Sequence, residues 1–181
     1  DRSPRETIVQ AVRTLDYGQE PCPNVIFSGV PCEAYSCANT RGKRNLVLAD
    51  SLVAKTSEII QHFELQNPDL LWFIEHPDSS LLWRRTVGAC LTPQVSFDHC
   101  AYGARWRKRT RLATNSGYVT RALCDPKACR SCEGGKHIRT AQRGPQKGCS
   151  RDSCSLDELH AYPKELCADI LAHCHRLVWH V

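Results

Sequence analysis

The chain has 181 residues, of which 24% are charged, and a formal net charge of +5. That length holds one domain with a sizeable core, and the mild basicity permits an anionic partner without demanding one. No apolar run is long enough to span a bilayer, and the charged N-terminus lacks the apolar stretch of an export signal. An intracellular protein of the nucleus or cytoplasm is therefore expected.

The 12 cysteines raise the question of a disulfide framework. Secreted disulfide scaffolds are usually shorter and loop-rich, so metal binding, catalysis and buried free thiols are the expected uses. Met is absent, including at position 1, and the N-terminus reads as truncated or processed.

Residues 1–24 are irregular. Thr7 to Val12 is too short for periodicity to separate strand from helix, and Asp16-Tyr17-Gly18 and Pro21-Cys22-Pro23 are turn chemistry. Asn24–Ser28 reads as a buried strand. It runs into a small-residue turn, Gly29-Val30-Pro31, that presents the Cys32 thiol. Residues 33–45 are polar and read as an exposed loop. Leu46 to Phe63 is the clearest helix, with Leu48, Ala49, Leu52, Val53, Ile59, Ile60 and Phe63 on one face, and Asn67-Pro68 ends it. Leu70–Ile74 is a second buried strand, stopping on Glu75-His76-Pro77.

Strand, helix and strand over residues 24–74 make a βαβ unit, which implies parallel strands and a right-handed crossover. The fold class is α/β. In open α/β sheets ligands bind at the carboxyl ends of the strands. Cys32 and Glu75 stand at two such ends.

Ser79 to Trp83 reads as a short helix or turn, and Val95–Cys100 and Arg111–Asn115 as third and fourth strands. Five cations crowd within the seven residues up to the start of the fourth strand: Arg105, Arg107, Lys108, Arg109 and Arg111. Such a run is either a solvated face or a phosphate contact. From Ser116 to Asp157 periodicity is lost and a loop-rich insertion is expected. Pro163 then suits a first helical turn, and Leu166, Cys167, Ile170, Leu171, Cys174, Leu177 and Val178 form an apolar stripe. The implied organisation is a core over 1–115, a Cys-rich insertion over 116–157 and a returning helix over 158–181.

A lone cysteine is more often buried and inert than reactive. Cys32 departs from that because it follows a strand and a Gly-x-Pro turn, where backbone donors and nearby arginines lower a thiol pKa. Glu75 follows a run that should be buried, and partial burial raises a carboxyl pKa and suits it to proton donation.

The insertion carries Cys124-x4-Cys129-x2-Cys132-x4-His137, thiolates and an imidazole at spacings suited to tetrahedral zinc. Cys129, Cys132 and His137 match three positions of a Cys-x2-Cys-x4-His-x4-Cys knuckle. Gln142 stands at the fourth, so Cys124, Cys149 or Cys154 completes the set. The competing reading is a group of reduced surface thiols. His173 and His175 flank Cys174 and read as solvent-facing.

Val25-Ile26-Phe27-Ser28-Gly29-Val30-Pro31-Cys32-Glu33-Ala34-Tyr35-Ser36 resembles the Pro-Cys motif of cytosine-C5 DNA methyltransferases, and Ile74-Glu75-His76-Pro77 resembles their Glu-Asn-Val or Glu-Asn-Pro motif. Arg44-Asn45-Leu46, Ala49-Asp50, Trp72-Phe73-Ile74, Leu81-Leu82-Trp83, Cys100-Ala101-Tyr102-Gly103, Arg107-Lys108-Arg109-Thr110 and Tyr162-Pro163-x-Glu165-Leu166-Cys167 are similar to the phage-like and large-virus-like branch. The likeness covers most of residues 14–172.

The resemblance implies a Rossmann-like methyltransferase sheet, DNA as partner and S-adenosylmethionine as cofactor. It implies Cys32 as nucleophile on C6 of a flipped cytosine and Glu75 as partner of N3. Ser36, Arg107, Lys108 and Arg109 would be substrate contacts, and Asp1, Asp16 and Pro31 cofactor contacts. The chain departs from the pattern in lacking the Phe-x-Gly-x-Gly loop before Cys32, in Ala11 where an Asp is usual, and in His76 for Asn. These departures leave open a second expectation: a catalytically inactive nucleic-acid-binding relative, stabilised by zinc.

Overall fold

The computed structural model describes residues 21–37, 39, 42–141 and 152–179. Asp1, Ala11, Asp16, the Thr7 to Val12 stretch and Cys149 lie outside them.

The described residues form a mixed α/β arrangement. Strand β1 (Val25–Gly29) leads through helix α1 (Leu46–Gln66) to strand β2 (Leu71–Pro77). A 3-10 turn (Leu81–Arg84) and the short helix α2 (Thr86–Ala89) lead to strand β3 (Gln94–Asp98). A second 3-10 turn (His99–Tyr102) precedes strand β4 (Arg109–Thr114). The strands lie in the order β1-β2-β4-β3. β1 and β2 are parallel, as a strand–helix–strand unit requires. β4 runs antiparallel to both β2 and β3, which makes the sheet mixed.

Helix α1 begins where the Asn45 side chain accepts the Leu48 N–H at 3.0 Å. It ends at Asn67, whose N–H reaches Phe63 O at 2.8 Å. The Asn67 amide also donates to Pro23 O at 3.2 Å, tying the end of the helix to the start of β1. Its buried positions, Ala49, Val53, Ile60 and Phe63, keep helical spacing.

The sheet is covered on both faces. Ile74 and Ala113 point into one cluster with Val30, Tyr35, Ala49, Val53 and Ile60 on the α1 side. Phe73, Phe97 and Leu112 point into another with Leu166, Ile170 and Cys174. The last three come from helix α4 (Lys164–Trp179), which follows the short helix α3 (Leu156–His160).

Two expectations change. β2 does not stop at Ile74: Glu75 and His76 are paired inside the ladder, with Leu112 and Arg111 of β4. The reason is that β4 continues alongside and satisfies their backbone groups. Nor is the loop after Cys32 wholly exposed. Tyr35 is fully buried, its hydroxyl donates to Asp50 Oδ1 at 2.8 Å, and its carbonyl accepts from Leu81 N. A large aromatic ring gains most by entering the α1 cluster, and it draws the polar loop down with it.

Within 116–157 the only regular pieces among the described residues, apart from the start of α3, are two-residue strands. β5 (Cys132–Glu133) pairs antiparallel with β6 (Lys136–His137), and β7 (Arg139–Thr140) pairs with β8 (Asp152–Ser153). Among the described residues, no helix is long and apolar enough to cross a membrane, and the described cysteines are free thiols.

Candidate functional site

Strand alternation sorts the C-terminal ends of β1 and β2. Residues i and i+2 share a face, so Glu75 joins Phe73 on the α4 side, and His76 joins Ile74 on the α1 side. Gly29, aligned with Glu75 across the parallel pair, has no side chain. That gap admits Tyr162, which enters from the segment before α4. Its hydroxyl donates to Glu75 Oε2 at 2.9 Å, and its ring stands edge-on to Phe27 at 5.3 Å. A Cβ on Gly29 would lie 2.6 Å from that hydroxyl.

Glu75 is buried, and its Oε1 has no hydrogen-bond partner among the described residues. Burial pushes its carboxyl above the usual carboxylate range. Lys108 and the Tyr162 hydroxyl oppose the shift without cancelling it. Burial likewise pushes the Cys32 thiol up, with Glu75 and Glu33 adding to the effect and Lys108 working against it. Cys32, Glu75 and Lys108 thus sense one another's charge. The Cys32 side chain is half-buried, and its carbonyl accepts from Tyr35 N at 3.1 Å, closing the turn.

The three consecutive cations separate. Lys108 reaches Leu159 O with its ammonium at 3.0 Å, on the Glu75 side. Arg107 and Arg109 turn instead to Asp98, at 3.1 and 2.9 Å. Asp98 is fully buried and also accepts the Cys124 N–H at 3.0 Å. Burial alone would raise its pKa, but Arg109, the Cys124 amide and Arg107 outweigh that and hold the carboxyl low. Ser36 is half-buried in the turn beyond Tyr35, where its carbonyl accepts from Asn39 N. Pro31 is exposed beside Cys32.

Two further histidines are buried, one on each face of the sheet. His76 packs edge-on between Tyr35 and Trp83. Burial depresses its pKa to about 4, although the Pro31 backbone favours the charged form. His99 accepts or donates a hydrogen bond with Thr110 Oγ1 at 3.2 Å. Burial, and then Lys108, depresses its pKa to about 3.

A second constellation stands just beyond the C-terminal end of β3. Cys100, Cys124, Cys129 and His137 place their ligand atoms within 4.8 Å of one another, a group that could hold a metal ion such as zinc. Three of these are the expected Cys124, Cys129 and His137. Cys132 lies beside Cys129 and Cys124 but is not part of the mutual set. Burial would raise the Cys129 thiol, yet the Ser131 amide and the neighbouring thiols bring it below its ordinary value. Burial pushes Cys100 and Cys124 up.

Sequence reasoning assigned no role to Tyr162 or to Cys100. Both sit in stretches singled out for their motifs, but each meets its partners only through the sheet. No protein-family model matches this chain, and no curated protein matches it.

Proposed function

We propose that the chain is a DNA (cytosine-5)-methyltransferase-like protein, in which Cys32 adds to a cytosine flipped out of the duplex. One observation carries the reading. Glu75 is a buried carboxyl with one oxygen anchored by Tyr162 and the other, Oε1, unpartnered among the described residues, within electrostatic reach of a thiol. A buried polar atom without a partner is costly, and the N3 acceptor or the N4 amino donor of a cytosine would satisfy it.

The chemistry follows from the residues. The Cys32 thiolate forms a bond to C6, and the C5=C6 electron pair moves to C5. Glu75, whose carboxyl burial pushes above the usual carboxylate range, hydrogen-bonds or protonates N3, so that negative charge does not build on the ring. Lys108 favours the thiolate over the thiol, which matters because burial works the other way. Of the residues expected at the cofactor only Pro31 is described, and its exposed ring beside Cys32 is open to a ligand. S-adenosylmethionine, when bound, would supply the electrophilic methyl group that C5 takes up. Loss of the C5 proton to water and departure of the Cys32 sulfur restore the double bond. Flipping the base costs about a few kcal/mol of unstacking. Exposed Arg105, Lys127, Arg130 and Lys136 suit phosphate contacts, which position a duplex without reading its sequence.

Addition of Cys32 alone makes C5 basic, so tritium at C5 of cytosine should wash out of DNA into water even without a methyl donor. Exchange with the unaltered chain and none with Cys32→Ser is the expected result. A chain that binds DNA in a salt-dependent manner but gives no exchange, and no adduct with 5-fluorocytosine DNA plus S-adenosylmethionine, would sink the catalytic reading and leave the non-catalytic nucleic-acid-binding one.

A further inference from the structure

We propose that Cys100, Cys124, Cys129 and His137 bind one structural zinc ion, and that Cys100 rather than Cys132 supplies the fourth bond, clamping the Cys-rich segment onto the end of β3.

The distances suit the ion. Bonds of about 2.3 Å to sulfur and about 2.0 Å to nitrogen at tetrahedral angles put donors about 3.5–3.8 Å apart. The Cys124 and Cys129 sulfurs stand 3.5 and 3.7 Å from His137 Nε2. All four ligand atoms, Cys100 included, fall within 4.8 Å of one another. Three thiolates and an imidazole are a zinc donor set.

The fold makes the ligands converge from separate places. Cys100 sits in the 3-10 turn that ends β3. Cys129 follows a turn in which Asp125 O accepts both the Ala128 and Cys129 amides. His137 closes a hairpin whose tip, Gly134-Gly135, has φ of 56° and 76°, as a two-residue loop requires. Cys132 is directly opposite His137 across that hairpin, so a purely local knuckle would use it. The mutual set uses the sheet's Cys100 instead.

The segment has need of such an anchor. No residue from 119 to 136 is buried, so an apolar core cannot hold it, and a bound metal contributes folding energy directly. The clamp also closes a ring. Cys124 is tied to Asp98 through its amide, and Asp98 lies two residues before Cys100. Asp98 in turn holds Arg107 and Arg109. The metal thereby fixes the start of the basic strand.

The test is metal content and thiol reactivity of the full chain, neither of which depends on Cys32 chemistry. About one zinc ion per chain, kept by Cys132→Ser and lost by Cys100→Ser, is the expected result. Zinc kept by Cys100→Ser and lost by Cys132→Ser overturns the clamp. A chain that takes up neither zinc nor cobalt with tetrahedral absorption bands overturns the site. Because Cys100 is buried, its substitution can impair folding, so the unaltered chain supplies a second readout. Iodoacetamide should label Cys132 while the zinc stays bound. Protection of Cys132 until a chelator is added would overturn the assignment.

Discussion

The Tyr162 hydroxyl occupies the place where a side chain on Gly29 would begin, 2.6 Å from that absent Cβ, and from there it donates to Glu75 Oε2 at 2.9 Å. The glycine is thus what lets a residue 87 positions downstream of Glu75 orient the buried carboxyl. Gly29→Ala should displace the phenol and break this hydrogen bond, costing about 1–3 kcal/mol. Tyr162→Phe should lose the bond without the clash. In both variants the Glu75 pKa rises further, since the hydroxyl favours the charged form. Urea midpoints and the carboxyl titration check this; an unshifted Glu75 in Tyr162→Phe would contradict it.

Cys32→Ser should fold normally, within about 0.5 kcal/mol of the parent, because the side chain is only half-buried. All exchange at cytosine C5 should be lost. Equal exchange in parent and variant would exclude Cys32 as the nucleophile.

Lys108 favours the ionised forms of Cys32 and Glu75. Replacing it with Met removes a positive charge, so the Cys32 thiol should hold its proton to higher pH. Alkylation of Cys32 at fixed pH should slow, and its pH profile should move to the alkaline side. A profile that stays in place would show that Lys108 exerts no field at the thiol.

Acid should unfold the protein through His76 and His99. Their folded pKa values, about 4 and about 3, lie below the ordinary 6.5, because burial disfavours the imidazolium. A depressed pKa contributes stability that is present above the unfolded value and is lost as pH falls through the folded one. Stability should therefore decline from pH 6.5 downward, by up to about 1.4 kcal/mol per pH unit for each proton taken up on unfolding. Urea unfolding at a series of pH values measures the slope, and a flat curve between pH 6.5 and 4 would refute this account.

Asp98 is a buried carboxylate with three charged or polar donors. Asp98→Asn leaves two guanidinium groups without their counter-charge and should cost about 3–5 kcal/mol. Its low folded pKa adds stability above the unfolded carboxyl range, lost as pH falls through the folded value. The variant should lack that part of the acid transition, which the same pH series detects.

Much of the scaffold was legible in local pattern. The 3.6-residue spacing of Ala49, Val53, Ile60 and Phe63 marked α1, and the apolar runs around Phe27 and Phe73 marked the parallel pair. The extension of β2 through Glu75 was not legible. A polar strand end looks like a loop until a neighbouring strand, here β4, is seen to satisfy its backbone. The burial of Tyr35 was hidden for a similar reason, since its hydrogen-bond partner Asp50 lies on α1.

Sequence by itself determined the strand–helix–strand unit, the thiol that follows its first strand, and three of the four clustered metal-ligand candidates. Each is written in residue types at short, regular spacing, where backbone geometry alone dictates which side chains share a face. Tertiary structure decided that Tyr162 anchors Glu75, that Lys108 parts from Arg107 and Arg109, and that Cys100 joins the thiol cluster. Those relationships arise where segments far apart in the chain pack across one sheet, and no local periodicity encodes which distant side chain will fill the space a glycine leaves.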